Sequence, residues 1–323
     1  MTVGDFDRDG DQDIATVSGG VTSNIILLLG NGAGGFTFSP KYPVSIPDSA
    51  SITSGDFNGD GILDLATTGW NGNFNQNKVG VLLGNGDGTF GTVTYFATGG
   101  ANPTQVRVGD LNKDTFLDLV IANRDSTDVG VLLGDGTGIF GTAQQINAGG
   151  GTASLELADL DGDEKVDIVS GKVLLNTTTV GSSTVSFASP TLFPTGGSLA
   201  LGDVNGDNRP DIASTDFNPG TVKITLNNGD GTFGTATPFS SPVFAANVKL
   251  VDLNGDGNLD IASHDDFRKV VTIMAGNGLG GFASPQIFGR GDGNAQALAL
   301  VISTGTTNQI SSPASTNLES GAK

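Results

Sequence analysis

The sequence contains no cysteine, one histidine, one tryptophan and two methionines among 323 residues. Without cysteine the chain can form no disulfide and has no thiolate ligand for a structural zinc site. With one histidine and no cysteine, the usual acid–base and nucleophilic groupings of enzymes are nearly absent, so an enzyme is disfavoured. No run of 18 apolar residues occurs, and the sequence therefore predicts no membrane-spanning helix.

Basic residues are also scarce, because 15 Lys and Arg stand against 34 Asp and Glu, for a formal net charge of −19. An acidic chain repels nucleic acid and anionic membranes, so we expect neither as a partner. Twenty of the acids occupy four fixed positions of six short segments, which leaves 14 acids against 15 bases elsewhere. The acidity is therefore concentrated in six places.

Each of these six segments is nine residues long and has an oxygen-bearing side chain at positions 1, 3, 5 and 9. Such a loop suits Ca²⁺, which takes about six to eight oxygen ligands, better than Mg²⁺, which demands near-ideal octahedral geometry. We expect about six Ca²⁺ sites, with position 7 contributing its backbone carbonyl. The predicted ligands, at positions 1, 3, 5, 7 and 9, are Asp5, Asp7, Asp9, Asp11 and Asp13 in loop 1; Asp56, Asn58, Asp60, Ile62 and Asp64 in loop 2; Asp110, Asn112, Asp114, Phe116 and Asp118 in loop 3; Asp159, Asp161, Asp163, Lys165 and Asp167 in loop 4; Asp203, Asn205, Asp207, Arg209 and Asp211 in loop 5; and Asp252, Asn254, Asp256, Asn258 and Asp260 in loop 6.

Two other interpretations of these loops are less favoured. An EF-hand would have Glu at position 12, where this chain has Thr, Ile or Ser. Asp-rich turns capped by their own side chains are the second alternative. However, three or four clustered carboxylates in each of six copies would repel one another strongly without a cation.

The six sites are not expected to be equal. Position 6 of such a loop turns sharply, and it is glycine in loops 1, 2 and 6 but Thr115, Glu164 and Asn208 in loops 3, 4 and 5. A β-branched residue at positive φ is strained, whereas Asn tolerates it. We therefore expect loop 3 to be the weakest site and a calcium titration to resolve at least two affinity classes.

The loops recur at intervals of 44 to 54 residues, the period of propeller blades. In each unit an apolar strand enters the loop, a β-rich strand leaves it, and a third strand ends in a glycine turn followed by Phe, as in GNGDGTF at 84–90. The chain is thus predicted to be all-β, with four-stranded blades A to D. Because antiparallel strands reverse at each turn, the A–B loops and the C–D glycine turns should lie on one face.

The Phe after each glycine turn is expected to anchor the fourth strand in the core. The turns themselves are better explained by hairpin geometry than as further calcium or phosphate sites, because Asn-Gly and Asp-Gly supply the positive φ that tight hairpins need. The fourth unit departs from the pattern and has 176–186 in place of the glycine turn.

Residues 55–66 (GDFNGDGILDLA) and 81–90 (VLLGNGDGTF) resemble the FG-GAP and VCBS repeat family. The resemblance covers 1–302, which we take as the propeller domain, and both motifs recur at the same separation in most units. It implies an integrin-α-like β-propeller, typically of seven blades, that binds Ca²⁺ in its A–B loops.

The number of blades is left open between six and seven. Residues 295–302 are expected to form a seventh inner strand, but the loop that should follow has Val301, Ser303, Gly305 and Gln309 at the ligand positions and no carboxylate. We therefore assign 303–323 as a degenerate seventh repeat with a flexible Ser- and Thr-rich tail. Strand 7A either closes a six-bladed ring by pairing with the first unit or belongs to a truncated seven-bladed propeller, which we favour.

The sequence enters the first loop at Asp5, which leaves no room for a signal peptide. Calcium sites of this kind suit an extracellular setting, where free calcium is high. We therefore expect a monomeric domain of a longer protein that acts outside the cell or at its surface.

The favoured function is an adhesion or ligand-binding module whose partner, a protein or a glycan, meets the face opposite the calcium loops. The open alternatives are a calcium-dependent polysaccharide-degrading enzyme and an inert spacer of a large surface protein. His264 is expected to be a surface loop residue rather than a catalyst, and Trp70 is expected to pack its loop more readily than to stack on a sugar. The unusual side chains on the opposite face are Trp70, Asn71, Asn73, Phe74, Gln76, Arg124, Phe217, Arg268 and Lys269.

Overall fold

A computed structural model describes residues 1–17, 24–39, 49–69, 77–126, 128–149, 154–192, 197–216, 220–241, 245–265, 268 and 270–289. In these residues the chain forms 24 β-strands and no helix, which confirms the all-β class. It follows that the described part has no helix suited to crossing a membrane. The strands group into six sheets of four consecutive strands each.

The sheets are blades 1 to 6 in chain order, and the strands of each blade are A to D. Blade 1 contains β1 (Thr2–Gly4), β2 (Asp13–Val17), β3 (Ile25–Gly30) and β4 (Phe36–Phe38); blade 2 contains β5 (Ser49–Gly55), β6 (Asp64–Gly69), β7 (Lys78–Leu82) and β8 (Thr94–Ala97); blade 3 contains β9 (Pro103–Gly109), β10 (Asp118–Asn123), β11 (Asp128–Leu132) and β12 (Gln144–Asn147). Blade 4 contains β13 (Glu156–Ala158), β14 (Asp167–Val169), β15 (Lys172–Leu174) and β16 (Thr191–Leu192); blade 5 contains β17 (Leu199–Gly202), β18 (Asp211–Asp216), β19 (Thr221–Thr225) and β20 (Thr237–Ser240); blade 6 contains β21 (Asn247–Val251), β22 (Asp260–Asp265), β23 (Val270–Met274) and β24 (Gln286–Phe288).

Every blade is an antiparallel meander whose strand order follows the sequence. The A strands contact one another in succession, β1 with β5, β5 with β9, β9 with β13, β13 with β17 and β17 with β21. The described residues therefore form a six-bladed β-propeller, with the blades in a ring around their A strands. This confirms the six full sets of four strands.

The core lies in apolar layers between neighbouring blades. Successive residues of a strand point to opposite faces of its sheet. Leu119 and Ile121 of β10 accordingly pack against Ala66 and Val81 of blade 2, while Val120 and Ala122 pack against blade 4. Strands β6, β10 and β22 are buried along their whole length because both faces are covered. Polar residues such as Thr67, Thr68 and Asn123 are therefore buried in these strands along with the apolar ones.

A repeated side-chain bond also joins the A strands. In each bond, a polar side chain five positions before the Asp loop of one blade is the acceptor. The donor is the backbone N–H of the residue four positions before the Asp loop of the next blade. The bonds run from Val106 to Ser51 Oγ (3.4 Å), from Leu155 to Gln105 Oε1 (2.7 Å), from Leu199 to Ser154 Oγ (3.1 Å) and from Val248 to Ser198 Oγ (3.4 Å). Arg107 of blade 3 adds an ion pair with Glu156 of blade 4 at 2.6 Å. These bonds fix the blades at the centre of the ring.

The Phe after each glycine turn pairs with the first residue of that turn in blades 2, 3, 5 and 6, and the same bridge forms in blade 4 without a glycine turn. Phe90 and Phe140 are buried, and their rings pack edge-on against Phe6 and Phe57 of the preceding blade. In blade 1 the expected anchoring is wrong. Phe36 pairs with Gly30 in the same way, but it is 42% exposed, and the other two residues of strand β4 are exposed as well.

Blade 4 is the irregular unit, as its sequence indicates. Its B and C strands have three residues each, and Gly171, with φ 69°, turns the chain directly between them. In place of the glycine turn, Asn176 pairs with Phe187 across an eleven-residue segment, 176–186. Thr178 of this segment is almost fully buried.

Several sequence predictions lie outside the described residues. These are the seventh inner strand at 295–302, the tail at 303–323, and Trp70, Asn71, Asn73, Phe74, Gln76, Phe217 and Lys269 on the opposite face. Arg124 and Arg268 are described and exposed. His264 is not a loop residue as expected. It lies in β22, paired with Asn247 and 4% exposed, because the B strand runs two residues further than its sequence suggests.

Candidate metal centres

All six Asp loops connect the A and B strands of a blade, and each is organised by hydrogen bonds to its own carboxylates. In loop 2 the Asp56 carboxylate accepts backbone N–H groups from Gly59, Asp60 and Gly61 at 2.8 to 3.2 Å. Asp60 Oδ1 accepts the N–H of Ile62 at 2.8 Å. The N–H of position 6 bonds to the carboxylate at position 1 in every loop. These bonds are those of self-capped Asp turns, so they form with or without a cation.

The Asp at position 9 has a second structural task. It is fully buried or nearly so in all six loops. Oδ2 accepts the N–H of position 2, and Oδ1 accepts the N–H of the residue that opens the C–D turn. In loop 2 these donors are Phe57 at 2.8 Å and Gly84 at 2.7 Å. Position 9 therefore ties the Asp loop to the C–D turn of the same blade, and both lie on one face, as predicted.

Burial raises the pKa of this carboxyl group in loops 1 to 5 of the metal-free protein. Desolvation is the largest cause, followed by the two N–H bonds, which act in the opposite direction, and then by the charges of the other loop carboxylates. The pKa of Asp118 is raised to about 7, and the pKa values of Asp64 and Asp167 are raised to about 6. A nearby positive charge would favour the ionised form of these groups.

In loops 1 and 4 the carboxylates at positions 1, 3 and 9 converge. One oxygen from each of Asp5, Asp7 and Asp13 lies within 4.8 Å of the other two, and the same holds for Asp159, Asp161 and Asp167. Two oxygens bound to one Ca²⁺ at about 2.3 to 2.6 Å lie at most about 5 Å apart. The donor set of these two loops therefore fits Ca²⁺. Their position-5 carboxylates, Asp9 and Asp163, lie outside these two sets of converging oxygens.

In the four loops with Asn at position 3, the side chains at positions 3 and 5 bond to each other. The amide nitrogen donates to the position-5 carboxylate at 2.8 to 3.0 Å in Asn58, Asn112, Asn205 and Asn254. A cation at these loops would have to share or take that carboxylate oxygen. The Asn oxygen accepts the N–H of position 5 and keeps a second lone pair for a metal.

The backbone at position 6 has the expected conformation. Thr115, Glu164 and Asn208 have φ values of 77°, 62° and 62°, where the other loops have glycine. Position 4 also turns to positive φ, which the sequence analysis missed. It is glycine in four loops but Arg8 in loop 1 and Lys113 in loop 3. Loop 3 is therefore the only one with a non-glycine residue at both turning positions, and the glycine at position 4 of loops 2, 4, 5 and 6 was the available signal.

The loops also contact the next blade, which the sequence did not reveal. The carbonyl at position 2 accepts an N–H from the C–D segment of the following blade in three loops: Phe6 from Gly88, Phe57 from Gly138, and Val204 from Gly280. In loop 3 the carbonyl of Asn112, at position 3, accepts the N–H of Gly181 in the same way. For loop 4 the amide of Asn227 donates to the Leu160 carbonyl. Each of these loops therefore lies at a junction between two blades.

The comparison with protein families agrees with this geometry. The FG-GAP-like repeat model matches residues 5–67, 70–121, 110–170 and 203–263, which include all six loops and more than half of the chain. The chain belongs to the FG-GAP-like repeat family. No curated protein matches the sequence.

One solved structure supports the propeller fold, and two more are similar over much of this chain at lower TM-scores. An Agrocybe aegerita lectin, described as recognising non-reducing terminal N-acetylglucosamine, shares 19% identity over 85% of this chain and 79% of its own, with a TM-score of 0.54. A Photorhabdus luminescens Tc holotoxin pore shares 18% identity over 88% of this chain with a TM-score of 0.39, and the Vibrio cholerae biofilm matrix protein Bap1 shares 16% over 76% with a TM-score of 0.44. The chain spans 15% and 40% of the lengths of these last two proteins.

Proposed function

We propose that this FG-GAP propeller is stabilised by Ca²⁺ in its Asp loops and acts outside the cell as a ligand-binding module. The observation that carries the calcium assignment is the convergence of three carboxylates in each of loops 1 and 4. Three like charges within 4.8 Å are costly unless protonated or neutralised. A bound Ca²⁺ would supply that neutralisation. The residues that would hold it are those at positions 1, 3, 5 and 9 with the carbonyl of position 7.

The position of the loops gives such sites a structural role. Each loop is bonded to the C–D turn of its own blade through position 9, and five of them are bonded to the next blade through a backbone carbonyl. Fixing a loop therefore fixes a junction between blades. A ligand that binds only the folded state adds about 2.7 kcal/mol per site at a hundred times its Kd.

The direct test is calorimetric titration of the full chain with Ca²⁺, together with thermal unfolding in Ca²⁺ and after removal of metal. We expect a substantial fall in Tm without Ca²⁺. The variant Asp7→Asn, within the loop 1 cluster, should weaken one site. Asp87→Asn is the matched control, because Asp87 is an exposed acid of a C–D turn that caps Thr89. An unchanged Tm on removal of metal would falsify the structural role.

The ligand is proposed to be a protein or a glycan that meets the face opposite the Asp loops. Supporting this, Arg124 and Arg268 are exposed at B–C turns on that face. Asn102 donates to Asp125 at 3.1 Å, and the N–H of Arg124 donates to the Asn102 carbonyl at 3.0 Å, so these polar groups are held in place. The likeness to the lectin is one of fold, and it makes carbohydrates the first ligands to screen.

A glycan array with the purified chain tests this part of the proposal. Binding that is lost in Arg124→Ala and Trp70→Ala but kept in Lys113→Ala, on the Asp-loop face, would support a lectin. Depolymerisation of a bound polysaccharide would instead indicate an enzyme. Absence of binding to glycans and to candidate surface proteins would indicate a spacer.

A further inference from the structure

The side chain at position 7 of the Asp loop has a common place in five of the six blades. It lies across a glycine of the C–D turn in its own blade, so closely that a Cβ atom on that glycine would press on it. The pairs are Asp11 with Gly32, Ile62 with Gly86, Phe116 with Gly136, Arg209 with Gly229, and Asn258 with Gly278. The glycine turn thus provides the surface on which the position-7 side chain rests.

Blade 4 lacks this surface. Thr178 stands where the other blades have the glycine; it is 2% exposed and exchanges hydrogen bonds with the backbone of Ser186. The position-7 residue of this blade, Lys165, points back into its own loop instead. Its ammonium lies 2.7 Å from Asp163 Oδ2, while its backbone N–H bonds to Asp163 Oδ1 at 2.9 Å. Both oxygens of the position-5 carboxylate are therefore bonded to Lys165.

Loops 1 and 4 form a matched pair within one chain. Both have Asp at positions 1, 3, 5 and 9, and both bring three carboxylates together within 4.8 Å. They differ at position 7, which is Asp11 in loop 1 and Lys165 in loop 4. Loop 1 accordingly presents an additional acid, whereas loop 4 contains an ammonium bonded to one of its four carboxylates.

We propose that the Lys165 ammonium is a tethered cation that partly replaces the metal in loop 4. This inference rests on the proposed function, namely that the loops bind Ca²⁺. The ammonium neutralises Asp163 and occupies an oxygen that a metal would need, so Ca²⁺ must displace it. Loop 4 is then a weak calcium site that stays ordered without metal, and loop 1 is a strong site that depends on metal.

Neighbouring charges are arranged consistently with this role. Glu164, beside Lys165, pairs with Lys113 of loop 3 at 3.3 Å rather than with Lys165. Loop 5 also has a cation at position 7, but the Arg209 guanidinium donates to the Asn228 carbonyl at 2.8 Å and stands 3.8 Å from Asp207 Oδ2. The Arg209 guanidinium is bonded to this carbonyl beside the glycine turn and makes only a longer ion pair with Asp207, so loop 4 alone among the six has an ammonium hydrogen-bonded to position 5.

The test is a calorimetric Ca²⁺ titration of the full chain and of the variant Lys165→Met, which keeps the length of the stem and removes the charge. Two unit charges about 4 Å apart interact strongly enough to change an affinity by about tenfold even near the surface. We expect one site to bind Ca²⁺ about tenfold more tightly and the other sites to be unchanged. Without metal the variant should melt at a lower temperature than the wild type, and Ca²⁺ should restore it.

Lys172→Met is the matched control, because Lys172 lies in the same blade outside the loop, and it should leave the titration unchanged. Lys165→Asn, which copies position 7 of loop 6, is a second variant should Lys165→Met not fold. If the wild type binds Ca²⁺ and neither Lys165 variant binds more tightly, the inference is overturned while the proposed function stands. If wild type and variants all fail to bind Ca²⁺, the proposed function is overturned and the inference with it.

Discussion

Single residues distinguish six loops that share one bonding scheme. Position 6 has positive φ in all of them, whether it is glycine or not, because its N–H must reach the carboxylate of position 1. Thr115, with φ 77°, is the least suitable residue for this conformation. Lys113, two residues earlier, has φ 55°. Backbone strain is therefore greatest in loop 3.

Replacing Thr115 with glycine should release this strain. A non-glycine residue in this region costs about 1 to 3 kcal/mol, and the extra freedom of glycine in the unfolded chain offsets up to about 1 kcal/mol of the gain. We expect Thr115→Gly to stabilise the metal-free protein by about 1 kcal/mol in urea unfolding and to tighten Ca²⁺ binding at one site. Gly61→Thr, the reverse change in loop 2, should do the opposite. A loss of stability in Thr115→Gly would contradict the ranking of the loops.

The raised pKa values of Asp64, Asp118 and Asp167 predict opposite effects of pH with and without calcium. An unfolded Asp has a pKa of about 3.9, so the folded metal-free protein binds more protons between that value and the folded values of about 6 to 7. The stability contributed by these groups is complete below about pH 4 and is lost as the pH rises through 6 to 7. Calcium binding needs the ionised carboxylates, so the same rise in pH favours it.

Thermal unfolding of metal-free and Ca²⁺-loaded protein between about pH 8 and pH 5 tests this expectation. We expect the difference in Tm between the two forms to shrink as the pH falls. The metal-free sample should be prepared by dialysis, because chelators lose affinity in acid. A difference in Tm that stays constant across this range would contradict the assignment.

At the scale of the element, the Asp loop and the C–D turn form one unit held together by position 9. Each position-9 carboxylate is buried and accepts one N–H from the loop and one from the end of the C strand. A buried N–H left without an acceptor costs about 1 to 3 kcal/mol. The last Asp of the loop is thus a structural residue even where no cation is involved.

Two variants of loop 2 should separate the structural task from the metal. Asp64→Ala leaves the N–H groups of Phe57 and Gly84 without their acceptor, so we expect a loss of about 2 to 4 kcal/mol in urea unfolding already in the metal-free protein. Asp60→Ala, at exposed position 5, should change the metal-free protein by less than about 1 kcal/mol and reduce only the gain from Ca²⁺. If Asp60→Ala destabilised the metal-free protein as much as Asp64→Ala does, position 5 would be structural as well.

At the scale of the whole molecule, charge and architecture are linked. Twenty Asp residues occupy positions 1, 3, 5 and 9 of the six loops on one face of the ring, and the rest of the chain is nearly neutral. The metal-free molecule therefore has one strongly negative face. Screening by salt reduces repulsion among charges exposed at a surface, over a Debye length of about 10 Å at 0.1 M.

Raising the NaCl concentration from about 0.01 M to about 0.3 M should therefore increase the Tm of the metal-free protein. The increase should be smaller in the Ca²⁺-loaded protein, whose loops would already be neutralised. Differential scanning calorimetry at four or five salt concentrations gives the slope of Tm against salt concentration for each of the two forms. Equal slopes for the two forms would argue against a concentrated repulsion that calcium relieves.

The sequence predicted the repeating parts of the fold because each blade repeats a local pattern. The apolar residues of β10 and β11, the Asn-Gly and Asp-Gly turns, and the Asp or Asn at loop positions 1, 3, 5 and 9 depend on neighbours close in sequence. Where one blade differs, sequence reasoning failed. Phe36 has the same motif as Phe90 but is exposed, and His264, which was expected in a loop, is the last residue but one of a buried strand. Packing against other blades decides the exposure of both residues.

What the sequence by itself determined is the all-β class, the six repeats, the place of every Asp loop and the sharp turn at position 6, because these follow from periods and turn chemistry within about 50 residues. What only the tertiary structure decided is how the repeats meet. The bonds from loop to next blade, the polar links between A strands and the turn of Lys165 onto Asp163 depend on side chains brought together from distant or irregular segments. Thr178 shows the physical reason: it fills the space of a glycine, and the cation at position 7 has to go elsewhere.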